Sequence, residues 1–264
     1  MTTQYSVRFV NGDADAQTQR AILATLPNRF RVVDSGNADV LVVSGAAVAE
    51  VMAEPVSAAT RGLFLSAPGK MSTQELKSFR QSAAGRPIGL ALSVMPALTD
   101  QALTDLRMDG ADAPVIVDAA SEVSSAEPDA LRAAVFEQLM LLHAVSGRIS
   151  DLTVLARTQI QMVLDVQIES VWKRARISVR RSFRDVATLH TVSRSVRRYA
   201  KFVSDPHAEP ARVEVFDQMG CRMTSPSYEG GYRRSWHRFH AALTGAADCD
   251  DVLNSAEHAL RLMF

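Results

Sequence analysis

Cysteine is nearly missing from this chain: 264 residues contain two, Cys221 and Cys249. That number excludes a disulfide framework, and their separation excludes a CxxC redox or zinc motif. A reduced, cytoplasmic setting is the expectation. Aromatic residues make up only 6%, and the basic part of the chain lacks the interleaved rings of a base-stacking platform. Neither sign of charge is in excess, since Lys+Arg and Asp+Glu are each 29. Long-range attraction to nucleic acid or to an anionic membrane is therefore not expected. No apolar run approaches the ~20 residues that span a bilayer. Met1 to Asn11 lacks the basic stretch and apolar segment of a secretory signal, so a leader is not expected. Internal repeats and low-complexity linkers are absent as well. What the chain does have is 47% apolar and 22% charged residues, the composition of a globular protein with a real core. Its length suits one large domain or two small ones.

The first ninety residues alternate strand and helix signals. Strands are expected at Tyr5–Val10, Phe30–Val33, Val40–Val43, Gly62–Leu65 and Ile88–Ala91. Several are short β-branched runs of the kind buried on both faces. Helices are expected at Ala14–Leu26, Ala46–Met52 and Ser72–Ala84. The last opens with Ser72 and carries Glu75 three residues on, a capping box. This alternation implies parallel βαβ units.

After Pro96 the pattern changes. A helix over Leu98–Met108, the Asp109-Gly110 turn and a strand over Pro114–Ala120 lead to an acidic loop at Glu122–Asp129. A helix over Ala130–Val145 ends near Gly147. Ile149 to Phe216 mostly alternates: Ile177, Val179 and Phe183 interleave with Arg176, Ser178, Arg180 and Arg184. That describes a half-exposed antiparallel sheet. Two helices, Glu229–Leu243 and Asp250–Met263, close the chain, with Tyr232, Trp236, Phe239 and Leu243 along one apolar stripe. The expected fold class is α/β: an N-terminal Rossmann-like parallel sheet over residues 1–95, then an α+β domain over 96–264 with a mostly antiparallel open sheet.

These segments, in this order, resemble the Gfo/Idh/MocA oxidoreductase family of glucose–fructose oxidoreductase and inositol dehydrogenases. Ala38-Asp39 followed by Val40–Val43 resembles the family's aspartate-then-buried-strand segment. Gly62–Pro68 followed by Met71–Leu76 resembles the strand, Glu-Lys-Pro motif and capped helix. Ile88–Pro96 and Leu106–Pro114 resemble the entry to the second domain, Leu139–Gly147 its helix end, and Tyr228–Gly245 with Asp250–Met263 the terminal helices. The resemblance implies an NAD(P)-dependent dehydrogenase plan, with an open sheet face that commonly forms a subunit interface.

The residues that would carry the chemistry are altered. A dinucleotide site needs Gly-x-Gly-x-x-Gly between the first strand and helix. Here the stretch is Asn11-Gly12-Asp13-Ala14-Asp15-Ala16-Gln17, with Gly12 alone remaining. Asp13 and Asp15 place two carboxylates where a pyrophosphate would lie; as residues they also suit helix capping. Asp34 stands where the ribose-binding acid is expected. The Glu-Lys-Pro motif becomes Ser66-Ala67-Pro68, and alanine cannot move a proton. Lys70, two residues on, is the candidate replacement. Counting back from Gly147, the family's catalytic Asp and His positions hold Ala133 and Glu137. Glu137 is a candidate base if buried, since burial raises a carboxyl pKa.

Other constellations are weaker. Arg176, Arg180 and Arg184 head a basic run from Lys173 to Lys201 that suits a small anionic ligand, an acidic partner or an oligomer-facing sheet. His237 and His240 lie three apart on a helix, but no third ligand is fixed near them, and no metal is expected. Ser66 has no histidine at a recognisable spacing. The expected function is therefore a non-redox pseudoenzyme, partner subunit or ligand-binding module, with no cofactor, no nucleic acid and no membrane, assembling as a homo-oligomer or partner subunit through the open sheet. Two alternatives stay open: a divergent oxidoreductase using NAD or NADP on a sugar-like alcohol or a small carbonyl or imine, and a cofactor-free enzyme using the old substrate cleft.

Overall fold

The computed structural model describes residues 3–10, 12–51, 55–97, 99–107, 116–169, 174–193, 195–203 and 210–263. The Asp109-Gly110 turn, Pro114, Lys173 and Arg194 lie outside them. The chain forms two compact units.

The first unit holds residues 1–92 and the helical segment Tyr232–Leu262. Its sheet is built from β1 (Tyr5–Phe9), β2 (Phe30–Val32), β3 (Val40–Ser44), β4 (Gly62–Ser66) and β5 (Ile88–Leu90). The strands are all parallel, in the order β2-β1-β3-β4-β5. Every residue of β3 and β4 is buried, as their unbroken apolar sequence requires. Crossover helices are α1 (Ala14–Ala24), α2 (Val48–Val51) and α3 (Thr73–Ala83). The capping box of α3 is present: Ser72 accepts from the Glu75 backbone and Glu75 from the Ser72 backbone. Asp39 ties the start of β3 to β1, its Oδ2 accepting from the N–H and hydroxyl of Ser6 at 2.8 and 2.6 Å. Burial pushes its pKa up, but those bonds outweigh it and hold it below the usual carboxylate value.

The unit is completed by α6 (Gly231–Leu243) and α7 (Asp250–Met263). This corrects the expected division at residue 95, which placed both helices in the second domain. Their aromatic stripe belongs to the first core: Trp236 stacks on Phe64 at 3.7 Å, meets Phe30 edge-on at 4.9 Å, and donates its indole N–H to buried Gln19. Phe239 packs so closely that a Cβ at Gly89 would come within 2.8 Å of it. Only glycine fits there.

The second unit is an eight-stranded sheet, ordered β13-β12-β11-β10-β6-β9-β8-β7. The strands are β6 (Ile116–Val123), β7 (Ile149–Arg157), β8 (Gln161–Ile168), β9 (Arg174–Arg181), β10 (Val186–Val192), β11 (Arg197–Val203), β12 (Arg212–Asp217) and β13 (Gly220–Met223). Every pairing is antiparallel except the central β6–β9 pair. The long helix α5 (Ala130–Ser146) covers β6, β9 and β8, and α4 (Asp100–Leu106) covers β12 and β11. Alternation holds along β9, where Ala175, Ile177 and Val179 are buried and Arg174, Arg176 and Arg180 are not. It does not extend to Phe183, which is fully exposed. The strand ends at Arg181, and beyond it a turn no longer points alternate side chains inward. Among the described residues, no helix is long and apolar enough to cross a membrane.

Candidate active site and its altered residues

In the first sheet the connections run outward in opposite directions from β1 and β3. Ligand crevices of such sheets lie outside the carboxyl ends of the strands at this switch point. Gly12 lies there, exposed, but a Cβ on it would meet nothing within 4 Å. Neither tight packing nor a positive φ demands glycine at this position. Asp13 is the N-cap of α1, and its Oδ1 accepts the Ala16 N–H at 2.8 Å. Asp15 follows in the first turn, and its Oδ2 lies 2.7 Å from the ammonium of Lys70.

Lys70 reaches Asp15 because of the backbone before it. Ala67 adopts a left-handed conformation, φ 49° and ψ 54°, at the head of a short 3-10 turn over Pro68–Lys70. A non-glycine residue there carries about 1–2 kcal/mol of local strain. The carbonyl of Ala67 closes over the end of β3: a Cβ on Gly45 would sit 2.4 Å from that oxygen. Ser66 is buried, with its hydroxyl turned to the Val43 carbonyl at 3.4 Å. Asp34 stands apart from this group. Its side chain is 92% exposed, with Arg20 at 3.5 Å.

Glu137 belongs to the second unit, on the buried helix α5. Both carboxylate oxygens are engaged by the main chain, Oε1 by the Ser93 N–H at 2.7 Å and Oε2 by the Val94 N–H at 3.2 Å. Burial is the larger influence and pushes its pKa up to about 7, although these bonds pull the other way. The structure thus brings Lys70 and Asp15 together, while Glu137 is committed to the turn that opens the second unit. Neither the Lys70–Asp15 pair nor the Glu137 clamp follows from sequence spacing, because both join residues more than forty positions apart.

Three arginines of β9, Arg174, Arg176 and Arg180, and Arg184 just beyond the strand are each met by a carboxylate, whereas Arg181 donates to the main-chain carbonyls of Ser125, Glu127 and Gln159. Arg174 pairs with Asp165, Arg176 with Asp118 at 3.1 Å, and Arg180 and Arg184 both with Glu122. The cross-strand register explains this, since Asp118 lies opposite Arg176 and Glu122 opposite Arg180. Glu122 is held down to about 2, first by Arg180 and then by Ser182. The arginines of the expected anion-binding face thus have carboxylate neighbours, and the side chains of Arg176, Arg180 and Arg184 stay 62–73% exposed. Among the described residues no group of three His, Cys, Asp or Glu side chains could hold a metal. His237 bonds Arg29, and His240 packs edge-on against Tyr5 and Phe30.

The sequence matches no family model and no curated protein. Solved structures do match it over nearly the whole chain, and they define a class: the fold is that of the Gfo/Idh/MocA-type oxidoreductases. UDP-N-acetylglucosamine 3-dehydrogenase GnnA from Acidithiobacillus ferrooxidans aligns with a TM-score of 0.73 and 12% identity, covering 99% of this chain and 97% of that one. The 3-ketoreductase KijD10 from Actinomadura kijaniata, in complex with NADP and TDP-benzene, aligns at 0.71 with 9% identity, covering 98% and 95%. The transcriptional regulator Gal80p from Kluyveromyces lactis aligns at 0.68 with 9% identity, covering 99% and 91%. At these identities the likeness speaks for the fold alone.

Proposed function

We propose that this protein is a non-redox member of the oxidoreductase fold, working as a partner subunit or ligand-binding module instead of transferring hydride. The head of α1 carries this reading. A pyrophosphate bound there would need free first-turn N–H groups and no competing negative charge. Here Asp13 takes up the Ala16 N–H and Asp15 adds a second carboxylate. The residues present do not fit a dinucleotide phosphate.

The proton-handling positions point the same way. Ala67 cannot donate a proton, and using Glu137 as a base would cost it the bonds from Ser93 and Val94. That a fold neighbour, Gal80p, is a transcriptional regulator supports a non-catalytic use of this architecture. We place the partner contact on the open face of the eight-stranded sheet, where Ile116 and Phe216 are exposed.

Calorimetric titration of the purified protein with NADH and NADPH tests this reading. It expects no heat at millimolar cofactor. Stoichiometric micromolar binding would overturn it and restore the divergent oxidoreductase.

A further inference from the structure

Lys70 does not occupy the lysine position of the Glu-Lys-Pro motif; alanine does. Yet Lys70 makes the long-range ion pair at the strand ends. It joins the 3-10 turn after β4 to the first turn of α1, across 55 residues of sequence. The two side chains are only 15% and 28% exposed, so solvent and salt screen the pair less than an ordinary surface contact. Asp15 also stands where the positive end of the α1 dipole favours a negative group. The chain itself thus supplies both charges that a phosphate complex would bring together: an anion at the helix head and a cation closing over it. The left-handed Ala67 and the close approach of its carbonyl to Gly45 set the turn that presents Lys70.

We infer that the Lys70–Asp15 pair is an internal lock, in which Asp15 stands in for a bound phosphate and Lys70 clasps the 66–70 segment onto α1. The lock keeps the strand ends closed to anions and holds this part of the first unit in place without a nucleotide. It rests on the reading that the dinucleotide site has been given up, and it explains how the segment stays ordered once that ligand is gone.

A double-mutant cycle tests the lock, using Asp15→Asn, Lys70→Met and the pair together, followed by thermal unfolding with and without millimolar inorganic pyrophosphate. Each single change is expected to lower Tm by about 2–4 °C, and the double change by no more than either single. The reversed pair, Asp15→Lys with Lys70→Asp, is expected to regain part of the loss, less what a lysine in the first turn of α1 costs against the helix dipole. Pyrophosphate is expected to raise the Tm of Asp13→Gly combined with Asp15→Asn, which removes both carboxylates from the head of α1 and uncovers the Ala16 N–H, and to leave wild type unmoved. Additive losses overturn the lock. So does an Asp13→Gly, Asp15→Asn protein that responds to pyrophosphate no more than wild type. NADPH binding by wild type overturns the proposed function instead, so the two failures are told apart.

Discussion

A carboxyl that is enclosed and still accepts two main-chain hydrogen bonds is pulled in opposite directions, and Glu137 is such a group. Burial wins, so its pKa rises from 4.5 to about 7. The folded protein then binds more protons than the unfolded chain between those two values. Its contribution to stability is fully present below about pH 4.5 and is lost as pH rises through 7, by as much as about 3 kcal/mol. Glu137→Gln is expected to flatten this slope, read as urea midpoints between pH 5 and 8. An unchanged slope would show that the carboxyl titrates normally. Glu122 runs the other way. Its pKa is held to about 2, so its contribution is present at neutral pH and fades only as pH falls below 4.5.

Elements in this chain are set by local signals wherever those signals are strong. Helix α3 starts where Ser72 and Glu75 cap each other. Ser72→Ala removes an acceptor for the Glu75 N–H and is expected to cost about 1 kcal/mol, measured as a shift in the denaturant midpoint at constant m value. A wild-type midpoint would mean that water replaces the cap. In β9 the two-residue period sorts buried Ile177 and Val179 from Arg176 and Arg180. The same period does not govern Phe183, because the strand has already ended. Nor does it say which carboxylate each arginine meets, since Asp118 and Glu122 reach them through the parallel β6–β9 pairing, nearly sixty residues apart in sequence.

At the scale of the whole molecule, the chain returns at its end to the unit it began with. Trp236, Phe239, Leu253 and Leu260 are all at most 3% exposed, and they belong to the unit that contains β1 to β5. Truncating any one such side chain costs roughly 2–5 kcal/mol, a large share of the ~5–15 kcal/mol that stabilises a whole domain. A chain ending at Gly230 is therefore expected to lose cooperative folding of residues 1–92, while residues 93–230 keep their sheet. Hydrogen exchange would show this as lost protection in β3 and β4 and retained protection in β8 and β9. Full protection in β3 and β4 would show that α6 and α7 are dispensable.

By itself, the sequence determined the alternating α/β first half, the capped start of α3, the alternating sheet of the second half and the terminal helices, because each rests on local periodicity or on a few neighbouring residues. It also determined that no Gly-x-Gly-x-x-Gly follows β1 and that Ser66-Ala67-Pro68 carries no lysine, which are matters of residue identity. Only the tertiary structure decided where α6 and α7 pack, since an apolar stripe says that a helix is buried and not against what. It alone paired Lys70 with Asp15, turned Glu137 onto the Ser93–Val94 backbone, and matched Arg174, Arg176 and Arg180 of β9 to carboxylates on neighbouring strands. Charge and hydrogen-bond partners are chosen by distance in space, and sequence spacing does not encode that distance once a crossover or a strand pairing intervenes.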